Sequence, residues 1–316
     1  MEFLGRFLRG ATSAGRLPGF ADAAGWLNSD PLADADLRGK VVLVDFWTYT
    51  CINWLRTLSH VRAWSEKYGE HGLVVVGVHT PEFPFERDVE NVQQAVTDMR
   101  VEYPIALDPE YSVWSAFANR YWPAVYIADA EGRIRHHQFG EGGYEECEWL
   151  IQRLLGDAGR AGVPDGLVAP AGDGLEAQAD WENLRSPETY LNEPPTGVAP
   201  DRLRLNQWSL TGDWAVESRA SVLNTADGEI AFRFHARDLH LVMGPPARDA
   251  AVPFRVSIDG EPPGEDHGFD IDEQGQGEVA EQRLYQLVRQ RGPITDRTFE
   301  ITFLATGAEV YCFTFG

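Results

Sequence analysis

The chain has 316 residues, of which 43% are hydrophobic and 11% aromatic. This length exceeds that of a typical single domain, so we expect two domains, each with its own hydrophobic core. The 49 acidic residues outnumber the 27 basic ones and give a formal net charge of −22, which argues against nucleic acid or an anionic membrane as a partner.

Two further features of the composition bear on the compartment. Charged residues interrupt the apolar positions at the N-terminus, and no apolar stretch reaches the length of a membrane span. The three cysteines, Cys51, Cys147 and Cys312, are too far apart for a Cys-x-x-Cys motif or for metal-ligand spacing. We therefore expect a cytoplasmic protein with no disulfide framework, no metal site and no cofactor.

The first predicted domain runs from residue 20 to about residue 156 and follows an N-terminal arm at residues 1–19. Its central stretch is VVLVDFWTYTCINWLRTLSH, residues 41–60. The apolar run at the start predicts a buried strand, and Ile52, Leu55 and Leu58 recur at the spacing of an amphipathic helix. Cys51 therefore lies where the strand ends and the helix begins.

The rest of the first domain continues this alternation of strands and helices. Before the central strand, residues 25–32 predict a short strand and turn. After it, the patterns predict strands over 72–79, 104–107, 124–127 and 133–139, and helices over 85–101, 111–120 and 144–155. The central strand, the helix after Cys51 and the next strand form a β-α-β unit, for which we expect a right-handed crossover.

The second half of the chain has a different pattern. Residues 157–200 are rich in Gly, Ala, Pro and Asp, which predicts a linker. From residue 201 to residue 316, hydrophobic side chains alternate with period two in five segments, 230–234, 239–243, 254–258, 299–303 and 311–315. Turn signals separate these segments, so we expect an antiparallel β-sandwich of the jelly-roll kind.

Cys51 is the strongest candidate for a functional residue. A cysteine at the start of a helix lies beside backbone N–H groups and the positive end of the helix dipole. This environment favours the thiolate, which is the reactive form of the side chain. The alternative is a buried cysteine that takes no part in chemistry.

The stretch around Cys51 resembles the active-site junction of the thioredoxin superfamily, whose signature is Phe-Trp-x-x-x-Cys-x-x-Cys. Phe46, Trp47 and Cys51 match this signature, and Trp54 stands in the place of the second cysteine. The resemblance implies that Cys51 is the nucleophile and that the bond between Trp122 and Pro123 is cis.

Asp45 corresponds, in this resemblance, to a buried acid that assists the resolving cysteine of thioredoxins. Because position 54 holds Trp54 instead of that cysteine, two roles stay open for Asp45: it tunes Cys51, or it is structural. The helix and strand expected between residues 85 and 107 resemble the insertion of TlpA-like and peroxiredoxin-like branches of the superfamily.

The chain as a whole resembles the soluble C-terminal region of the DipZ family of bacterial cytochrome c biogenesis proteins. The motifs that support this are DFWTYTCIN, GVHTPEF, RYWPAVYI, LRSPETYL and FEITFL. The resemblance implies a thioredoxin-like α/β domain followed by a β-sandwich similar to carbohydrate-binding modules. The membrane-embedded half of that family is not in this sequence, so we do not expect cytochrome maturation.

The function predicted for Cys51 depends on the missing second thiol. Cys51 either forms mixed disulfides that an external thiol resolves, or is oxidised to sulfenic acid and rescued likewise, or is resolved by a distant cysteine, or has lost redox function. The favoured prediction is a monothiol thiol oxidoreductase acting on a disulfide, a sulfenate or an oxidised small thiol. The alternative is a non-catalytic binding protein whose sandwich holds a ligand or partner.

Several residues are predicted to assist Cys51. An apolar surface for docking the substrate is expected from Trp47, Thr48, Thr50, Trp54, Trp122 and Pro123. Cys147 is a possible resolving cysteine, which requires its Cα atom to lie within about 7 Å of that of Cys51. A weak peroxidase activity is a further possibility, because Thr48 matches the peroxiredoxin pattern Pro-x-x-x-Thr-x-x-Cys although Val44 replaces its proline.

Four aromatic residues of the second half, Trp181, Tyr190, Trp208 and Trp214, are candidates for stacking on a sugar-like ligand. Of these, Trp208 and Trp214 lie in the predicted sandwich itself. The competing interpretation is that they belong to the hydrophobic core, because a fold similar to a carbohydrate-binding module does not by itself imply sugar binding.

Overall fold

The computed structural model describes residues 15–172 and 174–316. Most of the predicted N-terminal arm, residues 1–14, lies outside these ranges. The chain divides into two compact units, one comprising residues up to Glu82 together with Glu86–Ala171, and the other Phe83–Phe85 together with Gly172–Gly316. No helix in the described ranges is both long enough and apolar enough to cross a bilayer.

The first unit is built on a six-stranded mixed sheet with helices. In chain order its elements are β1 (Gly25–Leu27), α1 (Asp34–Leu37), β2 (Val41–Trp47), α2 (Ile52–Tyr68), β3 (Leu73–His79), α3 (Val89–Asp98), β4 (Ile105–Leu107), α4 (Ser112–Ala116), β5 (Ala124–Ala128), β6 (Ile134–Phe139) and α5 (Tyr144–Asp157). The strand order is β1-β4-β3-β2-β5-β6. Strands β2, β3 and β4 are mutually parallel, whereas β1, β5 and β6 pair antiparallel with their neighbours.

Strand β2 occupies the middle of this sheet. It pairs in parallel with β3 from Val41 opposite Leu73 to Trp47 opposite His79, and antiparallel with β5. Every residue of β2 is buried, as expected for a strand covered on both faces. Because β2 leads directly to Cys51 and α2, the candidate site lies at the carboxyl end of the central strand.

Two helices of the first unit are shorter than the sequence predicts. The helix expected over 85–101 is a 3₁₀ turn, Pro84–Arg87, followed by α3. Asp88 separates them because it caps α3, accepting a hydrogen bond from the Glu90 N–H at 2.9 Å. The helix expected over 111–120 is only α4, and Ala118 beyond it has a positive φ of 51° that α-helical geometry does not allow.

Residues 157–200 are not one linker. Residues up to Ala171 belong to the first unit, where the Val168 N–H donates to Glu148 Oε2 at 2.8 Å. Residues from Gly172 belong to the second unit, where Thr189–Tyr190 forms strand β7 and Leu191 is fully buried. The Pro- and Gly-rich composition here reflects irregular backbone that is mostly exposed or half-buried but belongs to the two units.

The second unit contains two antiparallel sheets. Its strands after β7 are β8 (Trp208–Thr211), β9 (Trp214–Val216), β10 (Ser221–Leu223), β11 (Gly228–Phe234), β12 (Asp238–Gly244), β13 (Val252–Ile258), β14 (Gln276–Val279), β15 (Arg283–Arg289), β16 (Arg297–Phe303) and β17 (Glu309–Phe315). One sheet has the order β15-β12-β17-β10-β9, with β7 also paired to β17, and the other has the order β14-β13-β16-β11-β8.

The two sheets share one hydrophobic core. The ring of Phe313 in β17 lies 5.0 Å from that of Phe232 in β11 and 5.7 Å from that of Phe299 in β16, measured between centroids. All five segments with period-two alternation are strands, which confirms the predicted β-rich second domain. Strand β15 was missed because its hydrophobic residues do not alternate with period two: Leu284 and Tyr285 are adjacent, as are Leu287 and Val288, and all are buried.

Candidate functional site

Cys51 forms the junction between β2 and α2. It is the N-cap residue of α2, with extended backbone angles of φ −76° and ψ 109°. Its N–H donates to Thr48 O at 3.3 Å, and its carbonyl accepts the Leu55 N–H at 3.0 Å. The residue is partly exposed, whereas Cys147 and Cys312 are buried, and all three cysteines are thiols. Cys51 is therefore the cysteine that combines access to solvent with a helix N-terminus.

The loop that contains Pro123 lies at the same edge of the sheet. The bond between Trp122 and Pro123 is cis, as the sequence resemblance implied. The Thr80 N–H donates to Trp47 O at 3.0 Å, and Thr80 O in turn accepts the Trp122 indole N–H at 3.1 Å. These hydrogen bonds join the cis-proline loop to the end of β2, four residues before Cys51.

Trp54 points from α2 into the protein. Its ring stacks on Trp47 with centroids 4.3 Å apart and an interplanar angle of 22°. Its indole N–H donates to Asp45 Oδ2 at 2.9 Å, and the side chain is completely buried. Gly77, opposite Asp45 in β3, leaves room for this arrangement, because a Cβ atom there would lie 2.9 Å from Trp47 Nε1. The second-cysteine position is thus filled by an indole bound to the buried acid.

Asp45 is a buried carboxyl group with an altered pKa. Burial raises its pKa from 3.8 to about 7, and hydrogen bonding to Trp54 and the nearby Tyr103 hydroxyl opposes this rise. Tyr103 lies close enough to Asp45 for its own pKa to be raised by burial and by that charge. Neither Tyr103 Oη nor Asp45 Oδ1 makes a hydrogen bond of good geometry, so Trp54 is the partner that fixes the carboxyl group.

Of the six residues predicted to form a docking surface, five are buried and one is partly exposed. Trp47, Thr48, Thr50 and Trp54 are buried, and Pro123 is also buried, so only Trp122 is partly exposed. The exposed aromatic side chains at this edge are Tyr121 and Phe139, 49% and 41% exposed, with ring centroids 5.1 Å apart.

Glu86 is a residue of the site that sequence reasoning missed. It is buried, and its Oε1 accepts the Thr50 hydroxyl at 2.6 Å while its Oε2 accepts the Glu82 N–H at 2.6 Å. Thr50 directly precedes Cys51, so this carboxyl group is hydrogen-bonded to the cysteine's neighbour. The sequence contains a weak signal for it, an acid directly after the aromatic residues of PEFPFER and 35 positions after Cys51.

A buried ion pair also lies beside the start of α2. Arg56 Nη1 lies 2.9 Å from Glu141 Oε1, and both side chains are largely shielded from solvent. Burial raises the pKa of Glu141, and the Arg56 charge and hydrogen bond oppose that change. The pair joins α2 to the loop that precedes α5, and no spacing in the sequence indicated it.

Cys147 does not share the environment of Cys51. It lies in the first turn of α5 and is only 1% exposed. Burial, together with the Glu146 charge, raises the pKa of its thiol to about 12. Burial and the Glu146 charge both disfavour the thiolate, so the geometry lends no support to Cys147 as the resolving cysteine.

We expect Cys147 to react with iodoacetamide at pH 8 about a thousandfold more slowly than an ordinary cysteine, because its thiolate fraction is that much smaller. Mass spectrometry of the peptide containing Cys147 measures the rate, with the urea-unfolded protein as the fully reactive control. Equal rates in the folded and unfolded protein would contradict the buried position and reopen a resolving role.

The four aromatic residues considered for sugar stacking differ in exposure. Trp208 is 6% exposed and belongs to the hydrophobic core, which favours the competing interpretation of this residue. Trp214 is half-buried against the same core, and its indole N–H donates to Thr211 O at 3.0 Å. Trp181 and Tyr190 are exposed. Within the described ranges, no group of three or more His, Cys, Asp or Glu side chains could hold a metal ion.

The fold and the site define a class of protein. A mixed sheet with a central β-α-β unit, a cysteine capping the helix after the central strand and a cis-proline on the neighbouring loop are the features of a thioredoxin-like domain. Residues 24–137 match the AhpC/TSA family, and residues 176–316 match the family described as "Thioredoxin like C-terminal domain".

Individual proteins are also similar to parts of this chain. "Protein DipZ" of Mycobacterium tuberculosis is 38% identical over 250 residues, which cover 73% of this chain and 35% of DipZ. "Thiol-disulfide oxidoreductase YkuV" of Bacillus subtilis is 28% identical over 141 residues, 45% of this chain and 95% of YkuV. A crystal structure of a putative thiol:disulfide interchange protein DsbE from Chlorobium tepidum covers 45% of this chain and 96% of its own, at 20% identity and a TM-score of 0.41.

The chain is a thioredoxin-like protein homologous to DipZ and to thiol-disulfide oxidoreductases, with an AhpC/TSA-type domain and a β-rich C-terminal domain. The resemblance read from its motifs is confirmed. The chain spans about a third of the length of DipZ. Nothing in these similarities points to a sugar ligand.

Proposed function

We propose that this protein is a monothiol thiol–disulfide oxidoreductase in which Cys51 is the nucleophile. The observation that supports this most directly is the position of Cys51: partly exposed, at the N-terminus of α2, and at the same sheet edge as the cis-proline loop. The helix dipole and the unpaired N–H groups of the first turn stabilise a negative charge on the sulfur. A thiolate at this place can attack a disulfide from the solvent side.

The reaction has two exchange steps. In the first, the Cys51 thiolate attacks one sulfur of a disulfide, R–S–S–R′, forming Cys51–S–S–R and releasing R′–S⁻. In the second, the thiolate of an external thiol attacks the R sulfur of the mixed disulfide, and Cys51 leaves as thiolate. The external thiol ends in a disulfide with R, so the external thiol is the electron donor. The charge is conserved in each step.

Trp54 determines that the second thiol comes from outside. Position 54 carries no sulfur, and the indole there is held by Asp45 and Trp47. In this arrangement Asp45 has no cysteine at position 54 to deprotonate. We therefore assign Asp45 a structural role, in which it fixes Trp54 under the N-terminus of α2, and we assign the chemistry to Cys51.

We expect the pKa of Cys51 to lie well below the ordinary value of about 8.5, because of its helix N-terminus. The rate of alkylation by iodoacetamide as a function of pH measures this pKa. Turnover is measured with glutathione disulfide or hydroxyethyl disulfide as the oxidant and a monothiol as the reductant, and Cys51→Ser should lower it to the uncatalysed rate.

Two controls separate this proposal from its rival. Cys312→Ser removes a buried cysteine and should leave both alkylation and turnover unchanged. A Cys51 that is unreactive in the folded protein, or a turnover that survives Cys51→Ser, would rule out the monothiol mechanism and favour a non-catalytic binding protein. Hydrogen peroxide as the oxidant tests the peroxidase alternative, in which Cys51 would be converted to sulfenic acid.

A further inference from the structure

We propose that Tyr121 and Phe139 are specificity-determining residues that select disulfides on a basic polypeptide segment with an aromatic side chain near the cysteine. This inference rests on the proposed role of Cys51 as nucleophile and deepens it by naming a substrate class. Tyr121 and Phe139, the exposed aromatic pair, are 49% and 41% exposed, and their ring centroids lie 5.1 Å apart. Two large aromatic side chains in mutual contact at the surface are typical of an interaction site.

The exposed aromatic pair stands on a buried support. Asn119 Nδ2 donates to Tyr121 O at 3.1 Å, and Asn119 Oδ1 accepts the Tyr126 hydroxyl at 3.3 Å. Asn119 and Tyr126 are 4% and 6% exposed, so these hydrogen bonds lie largely beneath the surface. The ring of Tyr126 also contacts that of Phe139 edge to face, with centroids 5.9 Å apart. Because the backbone under the pair is already fixed, binding an aromatic side chain there costs little further ordering.

The exposed aromatic pair is continuous with the cis-proline loop. Tyr121 lies two residues before Pro123, whose peptide bond is cis. The Gly140 N–H, directly after Phe139, donates to Pro123 O at 2.8 Å. The two aromatic residues therefore flank the cis-proline in sequence and across the sheet, and a substrate segment that passes this loop can extend onto them.

The pair is also within reach of a short segment bound to Cys51. Phe139 pairs with Ala124, which pairs with Phe46 in β2, so the Cα atoms of Phe46 and Phe139 lie about 10 Å apart. A turn closed by the Cys51 N–H and Thr48 O leaves at most about 24 Å between the Cα atoms of Cys51 and Phe139. Since about seven extended residues span that distance, an aromatic side chain within about six residues of the substrate cysteine can contact the pair.

The charge of the chain favours a basic substrate. Its 49 acidic and 27 basic residues give a formal net charge of −22. A field of this sign attracts cationic segments and accelerates their association, and salt weakens the attraction. A small neutral disulfide, such as hydroxyethyl disulfide, gains neither this attraction nor the aromatic contact. Polypeptide disulfides that carry basic and aromatic side chains should therefore be the faster substrates.

Synthetic peptide disulfides test the aromatic contact. Each peptide carries two lysines, one cysteine as its mixed disulfide with mercaptoethanol, and either phenylalanine or alanine at two, four or six residues from the cysteine. We expect the wild type to react about 2- to 10-fold faster with the phenylalanine peptide at one spacing or more, as an aromatic contact of this kind provides. Tyr121→Ala and Phe139→Ala should each lower this ratio towards one. Mass spectrometry of the mixed disulfides formed on Cys51 measures the rate constants.

Three comparisons separate the aromatic contact from a general effect on the site. Phe269→Ala removes an exposed ring from the second unit and should leave the ratio unchanged. Tyr121→Ala and Phe139→Ala should change the rates of Cys51 with iodoacetamide and hydroxyethyl disulfide by less than about twofold, because these small molecules do not reach the pair. Peptides with glutamates in place of the lysines should react more slowly, and high ionic strength should reduce that difference.

The inference is overturned by a phenylalanine-to-alanine ratio of one at every spacing in the wild type, or by a ratio that persists in both variants. Equal slowing of the peptides and hydroxyethyl disulfide also overturns it, because the variants then disturb Cys51 itself. Glutamate peptides as fast as lysine peptides overturn the preference for a basic segment. Failure of the proposed function looks different, because wild-type Cys51 then reacts with none of the disulfides. Should one variant not fold, the other decides the outcome.

Discussion

Trp54→Ala should lower the free energy of unfolding of the first unit by about 3 to 5 kcal/mol, as large-to-small changes at fully buried aromatic positions do. Trp54 is completely buried, stacks on Trp47 and holds Asp45. The alanine variant therefore loses a packed ring, leaves a cavity and leaves a buried carboxyl oxygen without its donor. Urea unfolding followed by tryptophan fluorescence and circular dichroism measures the loss.

Trp149→Ala is the matched control for this change. Trp149 lies on α5 in the same unit and is 57% exposed, so its removal should change the free energy of unfolding by less than about 0.5 kcal/mol. Trp54→Phe keeps most of the packing and removes the indole N–H. Its decrease in the free energy of unfolding should therefore lie between those of Trp54→Ala and Trp149→Ala. A Trp54→Ala protein as stable as Trp149→Ala would show that position 54 is not part of the core.

Asp45→Asn should stabilise the protein at pH 8. It should also abolish the pH dependence of the free energy of unfolding that the wild type has between about pH 4 and pH 7. Burial raises the pKa of Asp45 from 3.8 to about 7, so the folded state binds a proton more tightly than the unfolded state does. Stability from this group is therefore fully present below pH 4 and is lost as the pH rises to 7. The loss is roughly 4 kcal/mol at most, from a pKa difference of about three.

The asparagine keeps an acceptor for the Trp54 indole but carries no charge, so it removes the cost of ionising a buried group. Unfolding in urea at pH 4, 5, 6, 7 and 8 gives, for each protein, the slope of the free energy of unfolding against pH. Asp22→Asn, at an exposed position, is the control and should retain the wild-type slope. A wild-type stability that is flat between pH 4 and pH 7 would contradict the raised pKa.

The same variant resolves the two roles left open for Asp45. If Asp45 is structural, Asp45→Asn alters the pH dependence of stability and leaves the alkylation profile of Cys51 in place. If Asp45 tunes the nucleophile, the pKa of Cys51 falls in Asp45→Asn, because a nearby negative charge is lost. The two measurements use the same protein and report on different groups.

Much of the first unit could be read from the sequence because its signals are local. The run from Val41 to Trp47 is apolar throughout, and the helix after Cys51 has apolar residues on one face, so both elements and the cysteine between them were predictable. The cis bond before Pro123 followed from resemblance. The alternating segments of the second unit were found for the same reason, since each faces one core.

Two helix boundaries and strand β15 were not predictable in this way. Asp88 interrupts one expected helix because it caps the start of α3, and the hydrophobic residues of β15 do not alternate with period two. Composition was also a poor guide to the domain boundary. The Pro- and Gly-rich stretch at 157–200 predicted a linker, yet Leu191 within it is fully buried. Local pattern reports propensity, whereas burial is set by contacts between distant residues.

The sequence by itself determined the position of Cys51 at a helix N-terminus and the absence of a second thiol at position 54. Only the tertiary structure decided what surrounds that thiol. It places Trp54 inward on Asp45, and Glu86 against Thr50 through a hydrogen bond between residues 36 positions apart. The physical reason is that reactivity depends on burial and charge within a few ångströms, and residues distant in the chain supply both.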